Sequence, residues 1–224
     1  MSFKLILTGV TGRLGSEVVE QALRNPSVSS VIALSRRPLP NLRHDKLEVV
    51  LLEDFTRYSD QVIATLSGAQ ACIWCMTTTA GDPVLELDYP LAFANAFAPL
   101  LVKNGQRFRF LHVTGAMVER DQTKPLWLKS SVRKVKGLGE MQMINFANAP
   151  ANNGLWETII ARPGMVVKRG TYAGEASMMM FGSSGSFIRS DELGVALVDV
   201  AMHGSEELLL PLMLLQRGQK LMQQ

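Results

Sequence analysis

The sequence predicts an α/β protein built on a doubly wound parallel sheet, a single domain over 1–224 in which 165–224 supplies the substrate side. Three observations carry this. The run from Lys4 to Gly15 joins an apolar strand to a helix through three glycines spaced three apart, Gly9, Gly12 and Gly15. Strand-like runs then alternate with helical segments along the chain, the pattern of a parallel sheet covered on both faces. The composition, 47% hydrophobic and 19% charged over 224 residues, is that of a globular chain long enough to bury a sizeable core.

The first strand is expected at 4–8. Glycine suits the turn after it, because glycine adopts positive φ freely and lets backbone approach a bound group that a Cβ would hold off. A helix at 13–24 follows, since Leu14, Val18 and Ala22, with Val19 and Leu23 alongside, recur at helical spacing. Further strands are expected at 31–35, 47–52, 71–76, 108–113 and 157–161, with helices at 61–66, 91–103 and 130–148. Ser190-Asp191-Glu192 opens another helix with acids in its first turn. The segment 206–224 packs as a helix or closes the sheet edge. Met178-Met179-Met180-Phe181, framed by Gly174 and the Gly/Ser run 182–186, reads as an apolar patch on a flexible segment. It suits a cover over a substrate, packing under a loop, or a partner surface.

Several classes are set aside. Net charge is +3, but the basic residues are scattered apart from Arg36-Arg37 and Arg133-Lys134-Val135-Lys136, so no nucleic acid is expected. The longest near-apolar stretch, 208–215, is too short to span a bilayer and contains Pro211. A strand starting at Phe3 leaves no room for a signal peptide, and a soluble, cytoplasmic protein is expected. Cys72 and Cys75 have C-x-x-C spacing but fall within one strand, where residues three apart point to opposite faces, so neither a disulfide nor a zinc site is expected. With His44, His112 and His203 far apart, no metal constellation emerges. The expected partner is a small-molecule substrate, with homodimerisation left open.

In a doubly wound sheet, ligands collect outside the carboxyl ends of the strands, beside the first strand. Thr8, Gly9, Thr11, Gly12, Arg13, Leu14 and Gly15 form a turn and helix N-terminus suited to a pyrophosphate. After the second strand stands Ser35-Arg36-Arg37-Pro38. A free ribose 2′-hydroxyl is usually held there by an acid, whereas a 2′-phosphate requires cations. Two arginines and no acid point to NADP(H), with Arg13 a third cation near the same phosphate. Asp54 and Phe55, after the third strand, would border the adenine, and Thr77, Thr78 and Thr79 would lie at the switch point after the fourth.

These segments, together with Asp88-Tyr89-Pro90, Val135-Lys136-Gly137 with Glu140, and Arg162-Pro163-Gly164, resemble the atypical short-chain dehydrogenase/reductases, the NmrA-like proteins among them. The resemblance implies a Rossmann-type fold, bound NADP(H), and Pro163 and Gly164 against the nicotinamide side. The departure matters more. Members that oxidise alcohols or reduce carbonyls generally carry Tyr-x-x-x-Lys on the helix after the fifth strand, and a Ser at that strand's end. Here Lys136 takes the lysine position, Val132 stands where the tyrosine would be, and Thr114 replaces the serine. Spacing counted from Thr114 instead puts Trp127 and Ser131 in the two places, and neither register supplies the acid. The expected catalytic residues are Lys136, orienting the nicotinamide ribose, and Thr114, hydrogen-bonding the acceptor. The expected function is an NADP(H)-dependent reductase of a small, largely apolar carbonyl or conjugated acceptor that works without the tyrosine. The alternatives are a non-catalytic NADPH-binding regulator or scaffold, or an isomerase or cyclase on the same fold.

Overall fold

Short strands that are apolar almost without interruption call for a sheet with two buried faces, and the computed structural model, which describes residues 3–223, is organised around one. In chain order the elements are β1 (Phe3–Thr8), α1 (Arg13–Arg24), β2 (Val28–Ser35), β3 (Leu47–Leu51), α2 (Asp60–Leu66) and β4 (Ala71–Trp74). A π-helical turn (Val84–Asp88) then leads into α3 (Tyr89–Asn104), β5 (Phe108–Val113), α4 (Ser130–Ala147) and β6 (Trp156–Ala161). Last come β7 (Met165–Val167), α5 (Tyr172–Phe181), β8 (Phe187–Arg189), α6 (Ser190–His203), β9 (Leu208–Leu209) and α7 (Pro211–Met222). The main sheet runs β3-β2-β1-β4-β5-β6-β9, with every neighbouring pair parallel. Strand order reverses between β1 and β4, which opens a crevice at their carboxyl ends.

The pleat sorts side chains into two cores. Leu5 and Leu7 of β1 join Val18 and Val19 of α1 and Leu193 and Leu197 of α6. Ile6 faces the other way, into a core rich in aromatics: Trp74, Phe93, Phe97, Phe110 and Trp156. Cys72 belongs to this second core, while Cys75 packs against the first, so the thiols lie on opposite sides of the sheet.

Two expectations change, and the segment after β6 takes a definite place. The strand expected at 71–76 ends at Trp74, because its partner β1 ends at Thr8, the residue in register with Trp74. The segment expected to be flexible around Met178–Phe181 is helical, with Met178 buried and Met179 and Met180 exposed. Much of 165–224 completes the main domain: Leu193, Leu197 and Val200 of α6 and Leu214 and Leu215 of α7 are core residues, and β9 extends the sheet beside β6. Only β7 and β8 pair as a separate two-stranded sheet. Among the described residues no helix is long and apolar enough to cross a membrane.

Candidate active site

The glycine turn is built by close approach. Gly9 has φ +67°, and a Cβ there would stand 2.6 Å from the Cys75 carbonyl oxygen. A Cβ on Gly15 would stand 2.1 Å from the Gly9 carbonyl oxygen, so α1 sits directly on the turn. The Gly12 N–H donates to the Gly9 carbonyl at 2.9 Å, and Gly12 begins α1 with no side-chain cap and no acid in the first turn. The helix therefore presents uncapped N–H groups and the positive end of its dipole, an arrangement suited to an anion.

A cleft of about 310 Å³ opens at this point, lined by Gly9 to Gly12, Leu34 to Arg37, Phe55, Cys75 to Thr78, and Leu85. Ser35 shapes its cationic rim: the hydroxyl donates to the Arg37 carbonyl at 2.7 Å and accepts from the Arg37 N–H at 3.2 Å, which fixes the turn carrying both arginines. Arg13, Arg36 and Arg37 are exposed, and none of them is in a salt bridge among the described residues. Phe55 lines the cleft from a buried position, its ring edge-on to Trp74 with centroids 6.1 Å apart. These residues fit a nicotinamide dinucleotide: a cradle that a Cβ would fill, uncapped N–H donors, and arginines outside any salt bridge among the described residues.

Other expected residues lie elsewhere. Asp54 does not line the cleft; its carboxylate accepts from the Thr56 hydroxyl and N–H, and these bonds hold it below the usual carboxylate range. Thr8 is buried beneath the turn, Thr79 is exposed beyond the lining, and Arg13 and Leu14 stand outside the lining on α1. Pro163 accepts from the Ala116 N–H, and Gly164 packs so tightly on the Gly185-Ser186 backbone that a Cβ would meet the Gly185 carbonyl oxygen at 2.3 Å. Both brace the start of β7.

Helix α4 decides between the two tyrosine registers. Trp127 is fully exposed on the loop before α4, and Ser131 is exposed, so this register places nothing at the cleft. Lys136 faces the end of β4, where its ammonium donates to the Thr77 hydroxyl at 2.6 Å. One turn earlier Val132 packs against Gly81, where an added Cβ would lie 2.7 Å from the Val132 Cα. Val132 is therefore covered by the loop after β4.

Thr114 is turned the other way. Its hydroxyl donates to Glu140 Oε1 at 2.7 Å, in a buried cluster where Glu140 also accepts from Arg120 at 2.7 Å and from Arg162 at 2.9 Å. Burial alone would raise the Glu140 carboxyl, but the hydrogen bonds from Arg162, Arg120 and Thr114 outweigh it and hold the group below its ordinary range. The Thr114 hydroxyl thus ties β5 to α4. One residue escaped the sequence reading altogether. Glu86, only 1% exposed, accepts from the Thr77 hydroxyl at 2.8 Å and the Thr78 N–H at 2.9 Å, and lies 3.5 Å from Lys136 Nζ. Its one signal in the sequence is an acid bracketed by Val84, Leu85 and Leu87.

A more voluminous cleft, about 800 Å³, is at the opposite end of the sheet, near Phe3, Gln70, Arg107 and Glu157. It opens at the amino ends of the strands, away from the switch point where such sheets bind ligands.

Comparison with known proteins gives the fold its counterparts. The reductase domain of PhqB from Penicillium fellutanum superposes with a TM-score of 0.65 at 19% identity, over 92% of this chain and 66% of that one. Gre2 from Candida albicans, in complex with NADPH, gives 0.66 at 14% identity over 93% and 77%, and uronate dehydrogenase from Agrobacterium tumefaciens 0.60 at 17% over 94% and 75%. The chain has the Rossmann-type fold of these proteins. In sequence, leucinostatins biosynthesis cluster protein T from Purpureocillium lilacinum is 35% identical over 121 residues, 49% of this chain and 42% of that protein. The match thus spans less than half the relative's length. No family model matches the chain.

Proposed function

We propose that the protein is an NADP(H)-dependent reductase of the atypical short-chain type, acting on a small, largely apolar carbonyl or conjugated acceptor. The observation that carries the reading is the switch-point cleft, where the uncapped start of α1 and the unpaired Arg36 and Arg37 converge. The Gly9–Gly15 turn binds the pyrophosphate, Arg36 and Arg37 hold the 2′-phosphate, and Lys136 orients the nicotinamide ribose. The cofactor, when bound, supplies a hydride. Val132 has no proton to give, so an acceptor that stabilises the incoming charge by conjugation suits the site better than a simple ketone. The reductases and dehydrogenases that share the fold, and a relative from a biosynthesis cluster, support small-molecule chemistry.

The test is cofactor preference. A charge-assisted hydrogen bond contributes about 1.5 to 3 kcal/mol, so Arg36→Ala is expected to weaken NADPH roughly ten- to a hundredfold and to leave NADH almost unchanged. Titration calorimetry measures both, and equal affinities of the unaltered protein for the two cofactors would refute the reading. A second reading, a non-catalytic NADPH-binding regulator, is favoured by the apolar contact of Val132 with Gly81. Deuterated NADPH offered with quinones, flavins and enones separates the two: label in a product supports the reductase, and tight binding without label transfer supports the regulator.

A further inference from the structure

We propose that Glu86 is a positioning residue for the cofactor-facing lysine, acting through Thr77 to fix the Lys136 ammonium at the end of β4. The proposal rests on reading Lys136 as a cofactor contact. The three groups form one chain: Lys136 Nζ donates to Thr77 Oγ1 at 2.6 Å, Thr77 Oγ1 donates to Glu86 Oε1 at 2.8 Å, and ammonium and carboxylate are 3.5 Å apart. Both charges are withdrawn from solvent, with side-chain exposures of 12% and 1%.

Burying a carboxylate is costly unless it is paired and hydrogen-bonded. A neutral amide at position 86 has an oxygen that could also accept from Thr77 and from the Thr78 N–H, though more weakly than a carboxylate. What an anion adds here is attraction for the ammonium. The surrounding backbone is built around this contact. In a regular helix the Glu86 carbonyl would accept from residue 90, but residue 90 is Pro and has no N–H. The chain instead makes a π-helical turn at Val84–Asp88, with the Tyr89 N–H donating to the Val84 carbonyl, and turns of this kind often mark functional positions. Helix α4 then approaches closely: a Cβ on Gly139 would lie 2.4 Å from the Glu86 carbonyl oxygen. Val132, Lys136 and Gly139 form one row of α4 against Gly81, Thr77 and Glu86. A lysine stem has four rotatable bonds and no tyrosine hydroxyl stands beside it here. Anchoring from below takes that place: Thr77 occupies one of three ammonium donors and Glu86 holds the charge, leaving a donor for the ribose.

The experiment reads the amine directly and needs no substrate. Ligand-free protein is labelled with a limiting dose of an amine-reactive ester, and each lysine is quantified by peptide mass spectrometry, with exposed Lys103 and Lys129 as internal references. Relative to these, Lys136 labelling is expected to rise about tenfold in Glu86→Gln, to rise in Thr77→Val, and to return towards the original in Glu86→Asp, because an unpaired lysine regains its mobility. Thermal melts establish that each variant is folded, and Thr77→Val tests the same link if Glu86→Gln is not. The second arm is NADPH affinity by calorimetry. Glu86→Gln is expected to weaken NADPH about tenfold with Lys136 present and to add nothing in a Lys136→Met background, a coupling that a general structural role would not produce. Unchanged Lys136 labelling in the folded variants overturns the proposal, and so do additive effects on NADPH affinity. If the unaltered protein fails to bind NADPH, the cofactor reading falls, while the labelling arm still decides whether Glu86 holds Lys136.

Discussion

His112 lies in the middle of β5, 1% exposed, with neither ring nitrogen hydrogen-bonded among the described residues. Burial pushes it down to about 4; the Glu140 charge opposes this and the Lys136 charge adds to it. An unfolded histidine titrates near 6.5, so the unfolded chain takes up the proton first as pH falls. The stability that neutral His112 permits is therefore complete above about pH 6.5 and is lost progressively as pH drops to about 4, by about 3 kcal/mol in all. Urea melts at pH 7.5 and pH 5 are expected to show this loss, and His112→Phe is expected to flatten it. A slope that survives the substitution would assign it to another group. Glu140 is not that group in this window. Its carboxyl is held below its ordinary value, so its contribution is present above the unfolded carboxylate range and is lost only as pH falls through the lower folded value.

At the scale of elements, α4 and β4 carry the consequences. Placing a tyrosine in the position of the missing acid is expected not to restore it. Val132→Tyr forces a ring against the Gly81 backbone, and overpacking of this kind typically costs about 1 to 3 kcal/mol. A lower melting temperature, with no new label transfer from deuterated NADPH, is the expected result; faster turnover would show that the Gly81 loop yields. Strand β4 makes an equally concrete prediction. Cys72 and Cys75 pack on opposite sides of the sheet, and burial pushes the Cys75 thiol up to about 12. Neither is poised to react, since the thiolate is the nucleophile. Thiol counting is expected to find slow reaction in the native protein and two free thiols after denaturation, and a stable bridge would contradict the packing.

For the whole molecule, cofactor binding and folding are linked. A ligand that binds only the folded state at a hundred times its dissociation constant stabilises by about 2.7 kcal/mol. For a domain of this size that raises the melting temperature by several degrees. NADPH is expected to produce this shift, NADH a smaller one at equal concentration, and Arg36→Ala to remove the difference between them. Identical shifts would mean that the two arginines do not read the 2′-phosphate.

The architecture and the glycine-turn end of the cleft were legible in the sequence because both depend on local chemistry. Short apolar runs set β1, β2 and β5, helical spacing set α1, and the glycines at 9, 12 and 15 answer to a single turn. Arg36 and Arg37 could be read because they directly follow a strand whose carboxyl end faces the switch point. The other half of the site depends on pairings between residues distant in the chain. Where Val132 and Trp127 lie depends on how the loop 114–129 folds back before α4. The commitment of Thr114 to Glu140 spans 26 residues, and the link from Thr77 to Lys136 spans 59. Glu86 was invisible because its burial follows from a π-helical turn and from a glycine on another helix. Sequence by itself determined the sheet and the glycine turn, both written in neighbouring residues; only the tertiary structure decided which charges meet, because burial and pairing are properties of the packed chain.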